Sequence, residues 1–225
     1  AEALPYSSEI LGTLRRVYGD EHPYTLDAIG NMGSVLCDLE RFDEAMIYNE
    51  EVLEARRRIL GNEDIKTLTA INNMGHLLKQ QDRYDEAMPY YVEAMETRRR
   101  VLGTDHPDTL TSINNLGQLF QMLGRYEEAL KYYEESLDGR RRVLGRDHPD
   151  TFSSIGNLGE LFIMQEKYEE AMSYYKESVA GRRRVLGNEH PNTIISVNNM
   201  GMLLSDQGKY EEAMPYLIEV VETCR

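Results

Sequence analysis

The side chains best suited to chemistry in this chain recur at one interval. Asn31, Asn73, Asn115, Asn157 and Asn199 stand 42 residues apart, and the residue before each is Asn72, Asn114 or Asn198 in three cases and Gly30 or Gly156 in two. A carboxamide offers a donor and an acceptor together, which matches the paired N–H and C=O of an extended peptide. A ladder of such groups can grip a ligand backbone without reading its side chains. It can equally bond neighbouring helices and hold repeats in register, and the sequence leaves both readings open.

Two other residue types share the interval. His22, His106, His148 and His190 suggest metal ligation, but Asp64-Ile65 replaces the His-Pro pair in one unit. Each of these histidines also sits beside a proline suited to a first helical turn, so capping or connector packing is the expected role. No metal or other cofactor is expected. His76 is off the pattern, has no second ligand or acid near it in sequence, and is expected to make a groove hydrogen bond. The arginine runs ending at Arg16, Arg58, Arg100, Arg142 and Arg184 hold 14 of the 25 basic residues. A basic stripe can attract phosphate or nucleic acid. These runs, however, fall at helix C-termini near Asp and Glu, where ion pairing and compensation of the helix dipole are expected to absorb them. There is no glycine-rich phosphate loop, no HExxH, no GxSxG and no paired Cys/His set. An enzyme is not expected.

The element that positions these residues is the repeat itself. The run Arg-Arg-(Arg)-x-Leu/Tyr-Gly ends at Gly19, Gly61, Gly103, Gly145 and Gly187. Thr25, Thr67, Thr109, Thr151 and Thr193 keep the same spacing, as do Ala45, Ala87, Ala129, Ala171 and Ala213. Gly103–Leu144 and Gly145–Leu186 share 28 of 42 residues without a gap, so one packing solution has been copied. The units read as an orphan second helix at 1–18, repeats at 19–60, 61–102, 103–144 and 145–186, and a shortened repeat at 187–225.

Each repeat reads as two helices. In the third, Pro107-Asp108-Thr109-Leu110 opens a helix with Leu110, Ile113, Leu116, Gly117 and Phe120 at helical spacing. Gly124-Arg125 breaks it. Tyr126-Glu127-Glu128-Ala129 then starts a second helix with Ala129, Tyr133 and Ser136 on one stripe, early Glu, late Arg, and Gly145 as its expected C-cap. Gly117 and Ala129 are small enough to let the two helices approach closely. One hairpin cannot bury both of its faces, so neighbours must stack. The prediction is an all-α solenoid of stacked antiparallel helix pairs, 11 helices in one continuous domain. It begins in mid-pattern at Ala1 and ends inside a second helix at Cys224-Arg225, as a piece of something longer would. Neither end has a polar capping repeat, so end-to-end stacking between copies is expected.

Composition narrows the partners. Against 25 basic residues stand 39 acidic ones, a net charge of −14, which disfavours nucleic acid and anionic membrane. Fifteen Tyr with four Phe and no Trp give tyrosine a repeated packing role, pairs such as Tyr132-Tyr133 included. Cys37 and Cys224 are far apart, so a disulfide framework is not expected and a reducing, cytoplasmic setting is. No leader is visible, nor an apolar run of about 18 residues.

Ile113, Leu116, Gly117, Phe120, Ala129, Tyr133 and Ser136 fall at the spacing of the tetratricopeptide consensus, whose unit has roughly 34 residues. The longer unit here, with Leu-Gly-x-Asp-His-Pro-Asp-Thr-Leu and Asn-Asn-Leu-Gly, resembles the kinesin light chain repeat along the whole chain. It differs in that the repeats resemble one another more closely than is usual there. The resemblance implies a right-handed superhelix with first helices lining a concave groove that takes extended or short helical peptides. The Asn ladder would face that groove. So would Asp27, Ser34, Cys37 and Asp38, then Thr69, His76, Lys79 and Gln80. The later units would add Thr111, Gln118, Gln121 and Met122, then Ser153, Glu160, Ile163 and Met164, and finally Ile195, Met202, Ser205 and Asp206. Four acids against one lysine predict a neutral or basic peptide, with apolar anchors near Met122, Ile163, Met164 and Met202. The alternatives are a self-associating structural array and a docking arm of a larger protein.

Overall fold

The computed structural model describes residues 3–223. Among them eleven α-helices and no strand are found: α1 Ala3–Tyr18, α2 Pro23–Asp38, α3 Phe42–Leu60, α4 Ile65–Gln80, α5 Tyr84–Leu102, α6 Pro107–Met122, α7 Tyr126–Val143, α8 Pro149–Met164, α9 Tyr168–Leu186, α10 Pro191–Asp206 and α11 Tyr210–Thr223. Cys224 and Arg225, like Ala1, lie outside the described residues. The helices form two compact units, Ala1–Thr104 and Asp105–Arg225. In the first, α2 pairs with α3 and α4 with α5, and α1 and α3 pack on the first helix that follows each. The second unit repeats this with α6/α7, α8/α9 and α10/α11.

The ends of each helix explain its composition. The Nδ1 atoms of His22, His106, His148 and His190 accept the backbone N–H two residues on, at 3.1–3.3 Å. In the one unit without histidine, Asp64 Oδ1 does the same for Lys66 at 2.8 Å. The periodic histidine is an N-cap, and a carboxylate replaces it because both offer an acceptor at that position. First helices end in a Schellman turn, in which the Arg125 N–H reaches Phe120 C=O at 2.9 Å and Gly124 N–H reaches Gln121 C=O at 3.0 Å. Most second helices end on a left-handed glycine cap, as at Gly61, Gly103 and Gly187. The third repeat departs from expectation by one residue. Its cap is Leu144, held by Arg140 C=O at 2.8 Å, and Gly145 follows with the left-handed φ of +89°.

Packing within a pair rests on a small residue opposite a large one. Ala45, Ala87, Ala129, Ala171 and Ala213 are buried. The rings of Tyr91, Tyr133 and Tyr175 lie against Gly75, Gly117 and Gly159; an added Cβ would strike the ring at Gly117 and Gly159 and touch it tightly, at 3.2 Å, at Gly75. Burying a side chain of this size contributes about 1.5–3 kcal/mol, and Tyr132 and Tyr174 add stacking on Phe120 and Phe162 at 5.3 and 5.5 Å.

The arginine runs are absorbed, each position differently. The first arginine is buried in three of the triplets, as Arg56, Arg98 and Arg140: Arg56 meets Asp27 at 2.7 Å, and Arg140 donates to Asp150 C=O and Ser154 Oγ. The second reaches a glutamate on the next second helix, as in Arg15–Glu51, Arg57–Glu93, Arg141–Glu177 and Arg183–Glu219 at 2.5–2.7 Å. The third turns back to the connector, as in Arg58–Glu21, Arg100–Glu63 and Arg142–Asp105. Exposed pairs of this kind give about 0–1 kcal/mol each, so they set register more than they supply stability.

Candidate functional site

The ladder residues lie on the first helices α2, α4, α6, α8 and α10. Asn31 is exposed, Asn73, Asn115, Asn157 and Asn199 are half-buried, as are Asn72 and Asn198, and Asn114 is 6 % exposed. At one rung the amides bond each other: Asn157 Nδ2 donates to Asn114 Oδ1 at 3.0 Å, helix to helix. There the carboxamide holds register.

Two hollows gather the predicted residues. In the first unit Asn72, Asn73 and His76 of α4 meet Ser34, Cys37 and Asp38 of α2 around a cavity of about 280 Å³, with Leu77 and Asn49 completing it. In the second, Asn157, Glu160 and Ser153 of α8 meet Ile195 and Asn199 of α10 around about 210 Å³, with Tyr175 and Arg182 behind them. Asn31, Asn115, Asn198, Lys79 and Gln118 line neither hollow. Gln121 departs from the expected surface role. It is 3 % exposed, accepts the Tyr133 hydroxyl at 2.7 Å and donates to Met164 Sδ at 3.2 Å, so its amide is spent inside the fold.

Electrostatics follow from these neighbours. Asp27 is taken by Arg56 and by Lys66 at 2.8 Å, so it leaves the groove's acid count. Asp38 and Glu160 stay on the hollows. His76 does have partners, contrary to its isolation in sequence: Cys37 Sγ lies 4.0 Å from its Nδ1, and Asp38 is near. Burial pushes the His76 pKa below the usual histidine value, Lys79 pushes the same way and Asp38 opposes. Burial raises the Cys37 thiol pKa, with Asp38 adding to it, so the thiol is a neutral wall and not a nucleophile. Burial also lowers the Lys79 pKa and holds the Tyr175 phenol up at about 12. Among the described residues no three His, Cys, Asp or Glu side chains are placed to hold a metal ion, and no helix is long and apolar enough to cross a membrane. The exposed apolar side chains flanking this surface include Met122, Met164, Ile195 and Met202, while Ile163 is half-buried.

Asn49 was missed because it sits on a second helix, outside the ladder. The signal was present, since the same position holds Tyr91, Tyr133 and Tyr175 in the next three repeats. Arg182 was missed because the arginine runs were read as ion-paired helix ends.

The sequence matches the tetratricopeptide repeat family over residues 1–58, 66–142, 121–184 and 173–225. No curated protein sequence matches it. Its fold is similar to that of BtubC (BKLC) from P. vanneervenii, at 19% identity and a TM-score of 0.82 over 98% of this chain and 89% of that one. It is also similar to a kinesin light chain-type protein of nearly identical TPR-like repeats from Podosopora anserina, at 21% identity and a TM-score of 0.75, covering 90% and 96%. The apo quorum sensor NprR from B. thuringiensis is similar at 18% identity and a TM-score of 0.74, covering 98% and 60%. These likenesses agree with the 11-helix, all-α architecture of stacked repeats.

Proposed function

The chain belongs to the tetratricopeptide repeat family, and from that premise we propose that it is a non-enzymatic scaffold that holds a neutral or basic peptide segment of another protein on its first-helix face. The observation that carries this reading is the composition of the two hollows. Each brings ladder carboxamides together with an acid: Asn72 and Asn73 with Asp38, and Asn157 and Asn199 with Glu160. Amides supply donors and acceptors for a peptide backbone, and the acid favours a cationic neighbour. Fluorescence polarisation with pools of acidic and basic peptides lacking tyrosine tests it. Basic peptides are expected to bind several-fold tighter, and Asn73→Ala to weaken them; tighter acidic binding would sink the charge argument.

A second reading, self-association, has its own observation. Val221 of α11 is 53% exposed, whereas Val179 and Leu137 at the same repeat position are about 5% or less. Val221 lines an apolar hollow with Leu217 and Ile218, a face that a second copy could cover. Sedimentation velocity at rising concentration is expected to show dimers that Val221→Asp removes; a monomer throughout excludes this reading. Cys37 is a free, buried thiol, which supports a cytoplasmic site of action, checked by fractionating cells that express the tagged protein.

A further inference from the structure

The hollow of the first unit coincides with three exchanges in the repeat. At the α5, α7 and α9 positions a tyrosine ring packs on a glycine of its own first helix. In α7 the ring ends where Tyr133 Oη donates to Gln121 at 2.7 Å, and burial raises the phenol's pKa, with Glu160 of α8 adding to it. Two periods earlier the three positions are Asn49, Cys37 and His76. All three line the cavity of about 280 Å³. Asn49 is 3% exposed, and its Oδ1 atom is buried with no hydrogen-bond partner among the described residues. A buried acceptor without a donor is costly, and a donor brought by a ligand would relieve it.

We propose that this cavity is a subsite for a neutral aromatic ring ending in a hydrogen-bond donor, a phenol, presented by a tyrosine of the bound partner. The ring takes the place that Tyr133 fills in its own repeat. Leu77 and the neutral Cys37 thiol provide its walls. Its hydroxyl donates to Asn49 Oδ1, and Asn73 stands beside the flanking peptide at the cavity lining. A carboxylate-bearing ring would face Asp38 and the Asn49 oxygen together, both acceptors. A plain hydrocarbon would leave that oxygen without a donor. The peptide source of the ring rests on the scaffold reading above; the subsite itself does not.

The experiment therefore uses small probes and the full chain. p-Cresol, toluene and 4-methylbenzoate are titrated while the amide and imidazole resonances of Asn49 and His76 are followed by NMR. p-Cresol is expected to saturate these shifts, toluene to bind roughly fivefold more weakly for want of the hydrogen bond, and 4-methylbenzoate to leave them unmoved. Asn49→Tyr, which restores the residue used by three sister repeats, should abolish the saturable shift in a chain that still folds. Asn49→Leu should equalise p-cresol and toluene. Failure of p-cresol to saturate, equal binding of toluene by the unaltered chain, or undiminished binding by Asn49→Tyr overturns the subsite. Because the peptide pools above contain no tyrosine, their preference for basic sequences can stand or fall separately.

Discussion

Helices α3 and α7 are the same element two periods apart, built from the same rules and packed on the same kind of partner. In α7, Tyr133 fills the wedge over Gly117 and closes its hydroxyl onto Gln121. In α3, Asn49 lies over Gly33, Cys37 stands where Gln121 would be, and a cavity lined by polar groups remains. The histidine N-caps of the preceding first helices and the arginine–glutamate pairs to the next second helix are shared. What differs is whether the interior of the hairpin is spent on its own stability or left open to something else. A repeat array can thus carry a site at one rung at the expense of packing there, because the neighbouring rungs supply the stability.

The largest test of that contrast is truncation. Tyr133→Ala removes a buried ring and leaves a cavity, and is expected to cost about 3–5 kcal/mol in urea denaturation. Asn49→Ala removes an acceptor that has no partner among the described residues and is expected to cost less than about 1 kcal/mol. Equal costs would mean that the two wedges are packed alike and would dissolve the comparison.

A smaller test uses the glycines beneath these residues. An alanine Cβ at Gly117 would lie 2.8 Å from a ring carbon of Tyr133, and at Gly33 it would lie 2.7 Å from Asn49 Oδ1. The distances match, but the obstacles do not. A wedged ring cannot move, whereas a carboxamide tip beside a cavity can swing. Alanine is favoured over glycine in a helix by about 1 kcal/mol, while overpacking costs about 1–3 kcal/mol. Gly117→Ala should therefore lower stability by up to about 2 kcal/mol, and Gly33→Ala should leave it unchanged or raise it slightly.

These residues also mark what was legible beforehand. The fold was legible because one packing scheme repeats with its glycines, alanines and caps in place, so periodicity alone gave the helix pairs. The capping role of His106 could be argued from the adjacent proline, and Asp64 made it sharper once its oxygen was seen in the same bond. The site was legible only in part. Asn72, Asn73 and Asn157 could be placed on a first-helix face, but not the bond from Asn157 to Asn114, because side-chain partners between helices depend on packing offsets that spacing does not fix. Gln121 looks like Gln118 in sequence, yet it faces inward to Tyr133. Asp27 counted as a free acid until Arg56 and Lys66 were found on it.

The tyrosine and its acceptor should behave as a pair. In the first repeat, Asn49→Tyr with Cys37→Gln rebuilds the arrangement of α6 and α7. A double-mutant cycle is expected to give a coupling of about 1 kcal/mol in favour of the pair. Additive single effects would show that the ring fills space without its hydroxyl finding the introduced amide in that setting, and that the cavity has a different shape from the wedge it resembles.

The smallest effect concerns the turns that precede these two second helices. The same turn position is Glu40 with a φ of +57° in the first repeat and Gly124 with a φ of +70° in the third. A residue with a Cβ pays about 1 kcal/mol for the left-handed region, and glycine avoids that cost but loses more chain entropy on folding. The steric term is the larger at a fixed left-handed position. Glu40→Gly should then stabilise the chain by about 0.5 kcal/mol, and Gly124→Glu should destabilise it by a similar amount. Neither change should touch phenol binding, since neither residue lines the cavity. A shift in p-cresol affinity on Glu40→Gly would mean that the turn sets the separation of α2 and α3, and that the openness of the first repeat originates in its backbone and not in the exchange of tyrosine for Asn49.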